Sequence, residues 1–271
     1  MEQLILISFI LSLVLGVLRG IDLVFFTNSA TGLCMVGSVW LRYALLAVAV
    51  LVAVVAGRKA KPDVTALHGH SQAAGYASGF AAACFVLTGV TRLLFALDGV
   101  GAIVRALLEL FCWVWLSLLA RNWLRKGPWH RPTRSLYPAV AGSIIFYWCV
   151  LSRFMENSSS WHRVAPTAAV WQALAALVFL SLLIRALYLP ESANGKNFVA
   201  SAMAAFALCF CWEVPQVLEL MLDGMRLTQL PELLFGLGLC DIGALGGICA
   251  LNCTKSAAKQ TARETGRHSV G

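Results

Sequence analysis

The fold class this sequence predicts is an all-α, polytopic transmembrane helical bundle. Three observations predict it. Of 271 residues, 59% are hydrophobic and only 13% are charged, against about a quarter charged in soluble domains. Apolar runs of about 20 residues, the length that crosses a hydrocarbon core, recur along the chain. The Lys and Arg residues gather in alternate joints between those runs, which is the topology signal of a membrane protein. The net charge of +8 is therefore no nucleic-acid footprint, because it sits in short loops beside apolar spans.

Eight spans are expected, at about 4–26, 33–56, 73–97, 102–120, 136–153, 164–185, 198–221 and 230–252. They form one transmembrane domain over 1–253, built as four consecutive hairpins. Residues 254–271 are expected as a short basic cytoplasmic tail without fixed structure. Residues 4–26 lack a basic leader and a cleavage signature, so they are read as a retained span. With the N-terminus inside, the inner segments hold fourteen Lys/Arg: three after span 2, five after span 4, two around the loop after span 6 and four in the tail. The outer loops hold three, Arg153, Arg163 and Arg226. That bias predicts N-in, C-in. Trp123, Trp129 and Tyr188 then mark the inner interface and Trp161 the outer one. A weak repeat supports the same parse. Pro62, Pro128 and Pro190 follow spans 2, 4 and 6 at spacings of 66 and 62, and "LFALDG" and "ELMLDG" end spans 3 and 7.

With that topology each intramembrane charge acquires a depth. Arg19 and Asp22 fall in the outer part of span 1, and Arg42 just outside the middle of span 2. Arg92 is in the outer quarter of span 3, and Arg105 and Glu109 in the outer half of span 4. Glu213 lies a few residues outward of the middle of span 7, Glu219 near its outer end, and Asp241 near the middle of span 8. A charge at the bilayer centre costs about 2.5–3.5 kcal/mol, so these groups must face one another or water. The expected arrangement is a polar, outward-open cavity near mid-depth, closed on the inner side by apolar packing. Span 6 carries no charge at that depth and is expected at the periphery.

The stretch "CFCWEVPQVLELML" (209–222) places two carboxylates and a proline in an apolar span. Pro215 removes the amide that would bond the Cys211 carbonyl, and a kink there aims Glu213 into the cavity. Glu219 lies about 120° round the helix from Glu213, which is no catalytic dyad. Arg19 with Asp22 and Arg105 with Glu109 have pairing spacings on one helix face. Asp241 sits in "FGLGLCDIGALGG". Those glycines read either as close helix packing or as a broken helix that coordinates an ion.

The ligand-binding or proton-coupling candidates are thus Glu213, Asp241, Glu109, Arg42, Arg92 and Arg105, with Pro215 as the kink. Arg19, Asp22 and Glu219 form a second tier. The arginines suit a carboxylate or phosphate, and Glu213 or Asp241 suits a proton carrier. The competing reading is structural, with ion pairs that only hold helices in register. No His lies within a span, and there is no H-E-x-x-H, P-loop or C-x-x-C. An enzyme is therefore disfavoured, although a lipid-modifying transferase built on Arg and Glu stays open. The nine cysteines lie in or at the edge of apolar segments and are expected as buried thiols without a disulfide framework. His68-Gly-His70 is a weak metal signature, and neither metal nor cofactor is expected. The expected function is a small-solute or ion transporter of the cytoplasmic membrane, proton-linked through Glu213 or Asp241. The alternative is a non-catalytic ligand-sensing or accessory subunit of a membrane complex. Its expected partners are the lipid bilayer, a small anionic or zwitterionic solute, and a membrane protein or second copy of the chain.

Overall fold

The computed structural model describes residues 2–28, 33–95, 99–127, 129–155, 164–222 and 227–268. Apolar runs become helices because in hydrocarbon each backbone amide and carbonyl must be bonded within its own segment. The helices are α1 (Glu2–Phe26), α2 (Val39–Lys59), α3 (Gln72–Phe95), α4 (Val100–Leu124), α5 (Tyr137–Met155), α6 (Val164–Tyr188), α7 (Gly195–Ala205), α8 (Glu213–Leu222) and α9 (Leu230–His268). A π-turn, Phe206–Cys211, joins α7 to α8, so the seventh span is one interrupted helix. Among the described residues, seven helical segments are long and apolar enough to cross a membrane. They include α1–α4, α6, the seventh span and α9, which makes this a multi-pass membrane protein. The segment expected as the fifth span forms α5, a 19-residue helix that is not among the seven. Large apolar side chains such as Leu6, Ile10, Val17, Leu51 and Phe80 stand on the outside of the bundle, where a bilayer is their natural solvent.

Consecutive helices pack together: α1 with α2, α3 with α4, α5 with α6, and the seventh span with α9. The last pair forms the centre. In their most apolar windows 72% and 67% of residues are buried, against 33% in α1, α2 and α4. Small residues allow that close approach. A Cβ on Gly243 would lie 2.5 Å from the Phe210 nitrogen, and one on Gly57 of α2 only 2.3 Å from the Ala200 nitrogen of α7. Gly243→Val is therefore expected to force α9 off the π-turn at a cost of about 3 kcal/mol or more. The check is yield and melting temperature in detergent, where a wild-type profile would contradict this packing.

Hydrogen bonds identify the two ends of the bundle. At one end Asp63 Oδ2 accepts from Ser256 Oγ at 3.0 Å, Trp123 Nε1 donates to Leu67 O at 3.0 Å, and Thr133 meets Tyr188 at 2.6 Å. His68 and His70 are engaged there with the Ala186 and Trp123 carbonyls. The basic joints 58–61, 121–134 and 185–196 share this end. The other end holds the intramembrane arginines.

Several boundaries differ from expectation. Helix α2 begins at Val39 rather than 33, because residues 26–28 and 33–35 pair as a short antiparallel return: Met35 N donates to Phe26 O and Asn28 N to Leu33 O, both at 2.9 Å. Arg42 is therefore in the first turn of α2 and not near its middle. Helix α9 is continuous through its glycines and runs to His268, past the expected boundary at 253. The ion-coordinating break considered at Asp241 is thus not in α9, and the interruption falls in the neighbouring span. Helix α6 is not peripheral. Phe179, Leu180 and Leu183 are fully buried, and freedom from charge left this helix suited to the core. Pro128, Trp161, His162, Arg163 and Arg226, with parts of both "LDG" corners, lie outside the described residues.

Candidate functional site

The arginines at this end form two ion-pair groups with Asp22, Glu109 and Glu232, and among the described residues Glu213 and Asp241 stand outside both. In the first group Asp22 accepts from Arg19 Nη1 at 2.7 Å and from Arg42 Nε at 2.7 Å. Arg42 also bonds the Val36 carbonyl at 3.1 Å, fastening the return before α2. The Arg19 guanidinium lies over the Trp212 ring, 4.7 Å from its centroid. That is cation–π distance, and it ties α1 to the seventh span.

The second group joins α3, α4 and α9. Arg92 Nε bonds both Glu109 oxygens at 3.2 Å, and its Nη1 reaches Glu232 Oε1 at 3.0 Å. Arg105 reaches Glu109 Oε1 at 3.3 Å and Glu232 Oε2 at 3.2 Å. Two cations thus meet two carboxylates. Glu109 is fully buried, while the Glu232 side chain is half exposed at the start of α9. Glu232 was not among the expected site residues, because it lies in the first turn of a helix, where a carboxylate is ordinary. Its signal was the surplus of cations over acids on spans 3 and 4.

Glu213 is held differently. Its Oε2 accepts from Gln172 Nε2 at 2.7 Å and Gln216 Nε2 at 2.8 Å. Its Oε1 lies against Gly236, 2.9 Å from where a Cβ would stand. No ion pair reaches Glu213 among the described residues. Its position follows from the π-turn. Trp212 N bonds Ala207 O at 3.1 Å, the i→i−5 pattern, and such bulges frequently occur at functional sites. Gln172 Nε2 also bonds Leu208 O at 3.1 Å, so one amide of α6 satisfies both the turn and the carboxylate. At Pro215 the Cys211 carbonyl loses its helical donor. Gly16 of α1 covers that carbonyl closely enough to leave 2.6 Å for a Cβ. The Gly16–Gly20 pair is a small-xxx-small face that the charge pattern of span 1 had overshadowed.

A cavity of about 470 Å³ opens at this end of the bundle, between α1, α4, α5, α6, α8 and α9. Glu213, Arg105, Arg19 and Glu219 line it, together with Glu232 and Arg153. The structure thus gathers two of the six leading candidates and two of the second tier. Arg42, Arg92, Glu109 and Asp22 lie behind that wall in the ion-pair groups. Asp241 stands apart, facing α3, with the Cys84 thiol 3.8 Å away. Pro215 borders a separate apolar groove on the outer side of the same span. All nine cysteines are free thiols. Comparison with protein-family models, with curated proteins and with solved structures finds no match for this chain.

Proposed function

We propose that the chain transports a small zwitterionic solute or ion, coupled to a proton carried by Glu213. The observation that carries this reading is the setting of Glu213: a cavity-lining carboxylate beside a broken span, held by two neutral amides and by no arginine. An acid fixed only by neutral donors keeps its place in either protonation state, as a carrier requires. An acid inside an ion-pair group would strand a cation on taking a proton. Asp241 does not line the same cavity, so the proton role falls to Glu213 rather than to both. Three arginines and three glutamates line the cavity, and that balance suits a ligand bearing both signs better than a simple anion.

The orientation belongs to the same proposal. The basic joints lie at the end opposite the cavity, which supports eight spans with both termini in the cytoplasm and a cavity open to the outer face of the cytoplasmic membrane. The tied, apolar opposite end suits the closed side of an outward-open state. The test is uptake by proteoliposomes of labelled zwitterions of amino-acid size under an imposed proton gradient. Flux above protein-free liposomes that stops when the gradient is dissipated is expected. Absence of flux, together with co-purification of a second membrane protein, would replace this reading by the accessory-subunit one.

A further inference from the structure

A second concavity lies beside the charged one. It is a groove of about 620 Å³ between α1 and α8, floored by Gly16, Gly20 and Pro215 and flanked by Val17, Val24 and Leu218. Its flanks face away from the bundle: Val17 is 64% exposed and Val24 72%, so in a bilayer the groove meets acyl chains. Gly20 leaves it open, since a Cβ there would meet only the Pro215 side chain, at 3.8 Å. The groove and the charged cavity share two wall residues, Leu23 and Glu219. An apolar trough open to lipid thus adjoins, at Leu23 and Glu219, a polar chamber with balanced charge.

Two polar atoms at the chamber wall point to what it takes. Arg19 and Thr27 are 4% and 9% exposed and line the cavity, yet Arg19 Nε and Thr27 Oγ1 have no hydrogen-bond partner among the described residues. A buried donor left unmatched is costly, and a guanidinium N–H and a hydroxyl on the lining of one cavity are each groups that suit a phosphate oxygen. Glu213 and Glu219 on the facing span supply the complementary charge for an ammonium group.

We infer that the ligand of this cavity is a zwitterionic phospholipid, its headgroup between Arg19 and the two glutamates and one acyl chain in the α1–α8 groove, entering sideways from the bilayer. The inference rests on the cavity being a ligand site, as proposed above, and narrows the solute to an amphiphile. Each methylene laid in the groove adds apolar burial, so the chain should contribute strongly to affinity.

The test compares three probes by calorimetry on the full chain in one detergent: lysophosphatidylethanolamine, free phosphoethanolamine, and an uncharged monoacylglycerol of the same chain length. The lysophospholipid is expected to bind at least about tenfold more tightly than either other probe, a difference of one decade in Kd. Val17→Trp, which places bulk in the groove at an exposed position, should remove most of that advantage while leaving phosphoethanolamine binding unchanged. Leu218→Trp blocks the facing wall and serves if the first variant does not fold. Equal binding of the lysophospholipid and phosphoethanolamine would overturn the lipid inference and leave the polar site standing. Equal binding of the monoacylglycerol would reduce the groove to ordinary lipid contact and overturn it too. Binding of none of the three would remove both the inference and the zwitterion reading of the cavity.

Discussion

Replacing Glu109 by glutamine is expected to lower the melting temperature by on the order of 10 °C, if the protein still folds. Glu109 is fully buried and faces two guanidiniums, Arg92 and Arg105. Glutamine keeps the shape and loses the charge, so both cations would rely on Glu232, which is half exposed. Removing one member of a buried ion pair costs roughly 3–5 kcal/mol, because the partner left behind stays desolvated. In a chain of this size each kcal/mol moves the midpoint by about 2–4 °C. The measurement is thermal unfolding of wild type and variant in the same detergent. A double cycle with Arg92→Gln sharpens it, since contacting residues are non-additive and the double variant should lose less than the two single losses combined. An unchanged midpoint would mean that water reaches Glu109 and that the quartet is no structural clamp.

Glu109, expected from the sequence among the ligand-binding residues, packs behind the cavity wall and does not line the cavity. The reason bears on how far sequence reasoning reaches in a membrane protein. Hydropathy reports which stretches cross, because burial in hydrocarbon leaves the backbone one spanning form for a single segment, and the helices came out close to where the apolar runs lie. Depth follows from position along a span, so the gathering of arginines toward one end was legible as well. Pairing across helices was not. The Arg92–Glu232 contact spans 140 positions, and nothing local distinguishes an arginine bound by a carboxylate from one awaiting a ligand. Asp241 shows the same gap. Its glycines carried two readings, a packing face or a broken helix, and only the neighbour decides between them: Gly243 fits the Phe210 backbone and α9 stays whole. The π-turn was out of reach for a related reason. An i→i−5 pattern depends on a side chain such as Gln172, brought from α6, to satisfy the carbonyl it displaces. Pro215 signalled a disturbance in the seventh span, but the register of that disturbance lies in the tertiary contact.

Glu213→Gln should behave in the opposite way to Glu109→Gln, and the contrast separates a site from a clamp. Gln172 and Gln216 donate to Glu213 Oε2, and a glutamine carbonyl at position 213 can accept the same two bonds. No cation is stranded, so the stability change should stay within about 1 kcal/mol, the net worth of an ordinary hydrogen bond. Proton-coupled uptake should nevertheless fall on the order of a hundredfold, the low end of what losing a positioned proton-transfer group costs. Both readouts come from one preparation, melting in detergent and gradient-driven flux in liposomes. A large loss of stability would make Glu213 an ionised structural partner, drawn to the nearby Arg19 through the cavity, and the transport proposal would lose the residue on which it turns. Unchanged stability with unchanged coupled flux would leave the carboxylate a mere lining group. Unchanged stability with lost flux is the pattern of a group held in place for what it does, since a fold gains little from a buried acid that no cation neutralises.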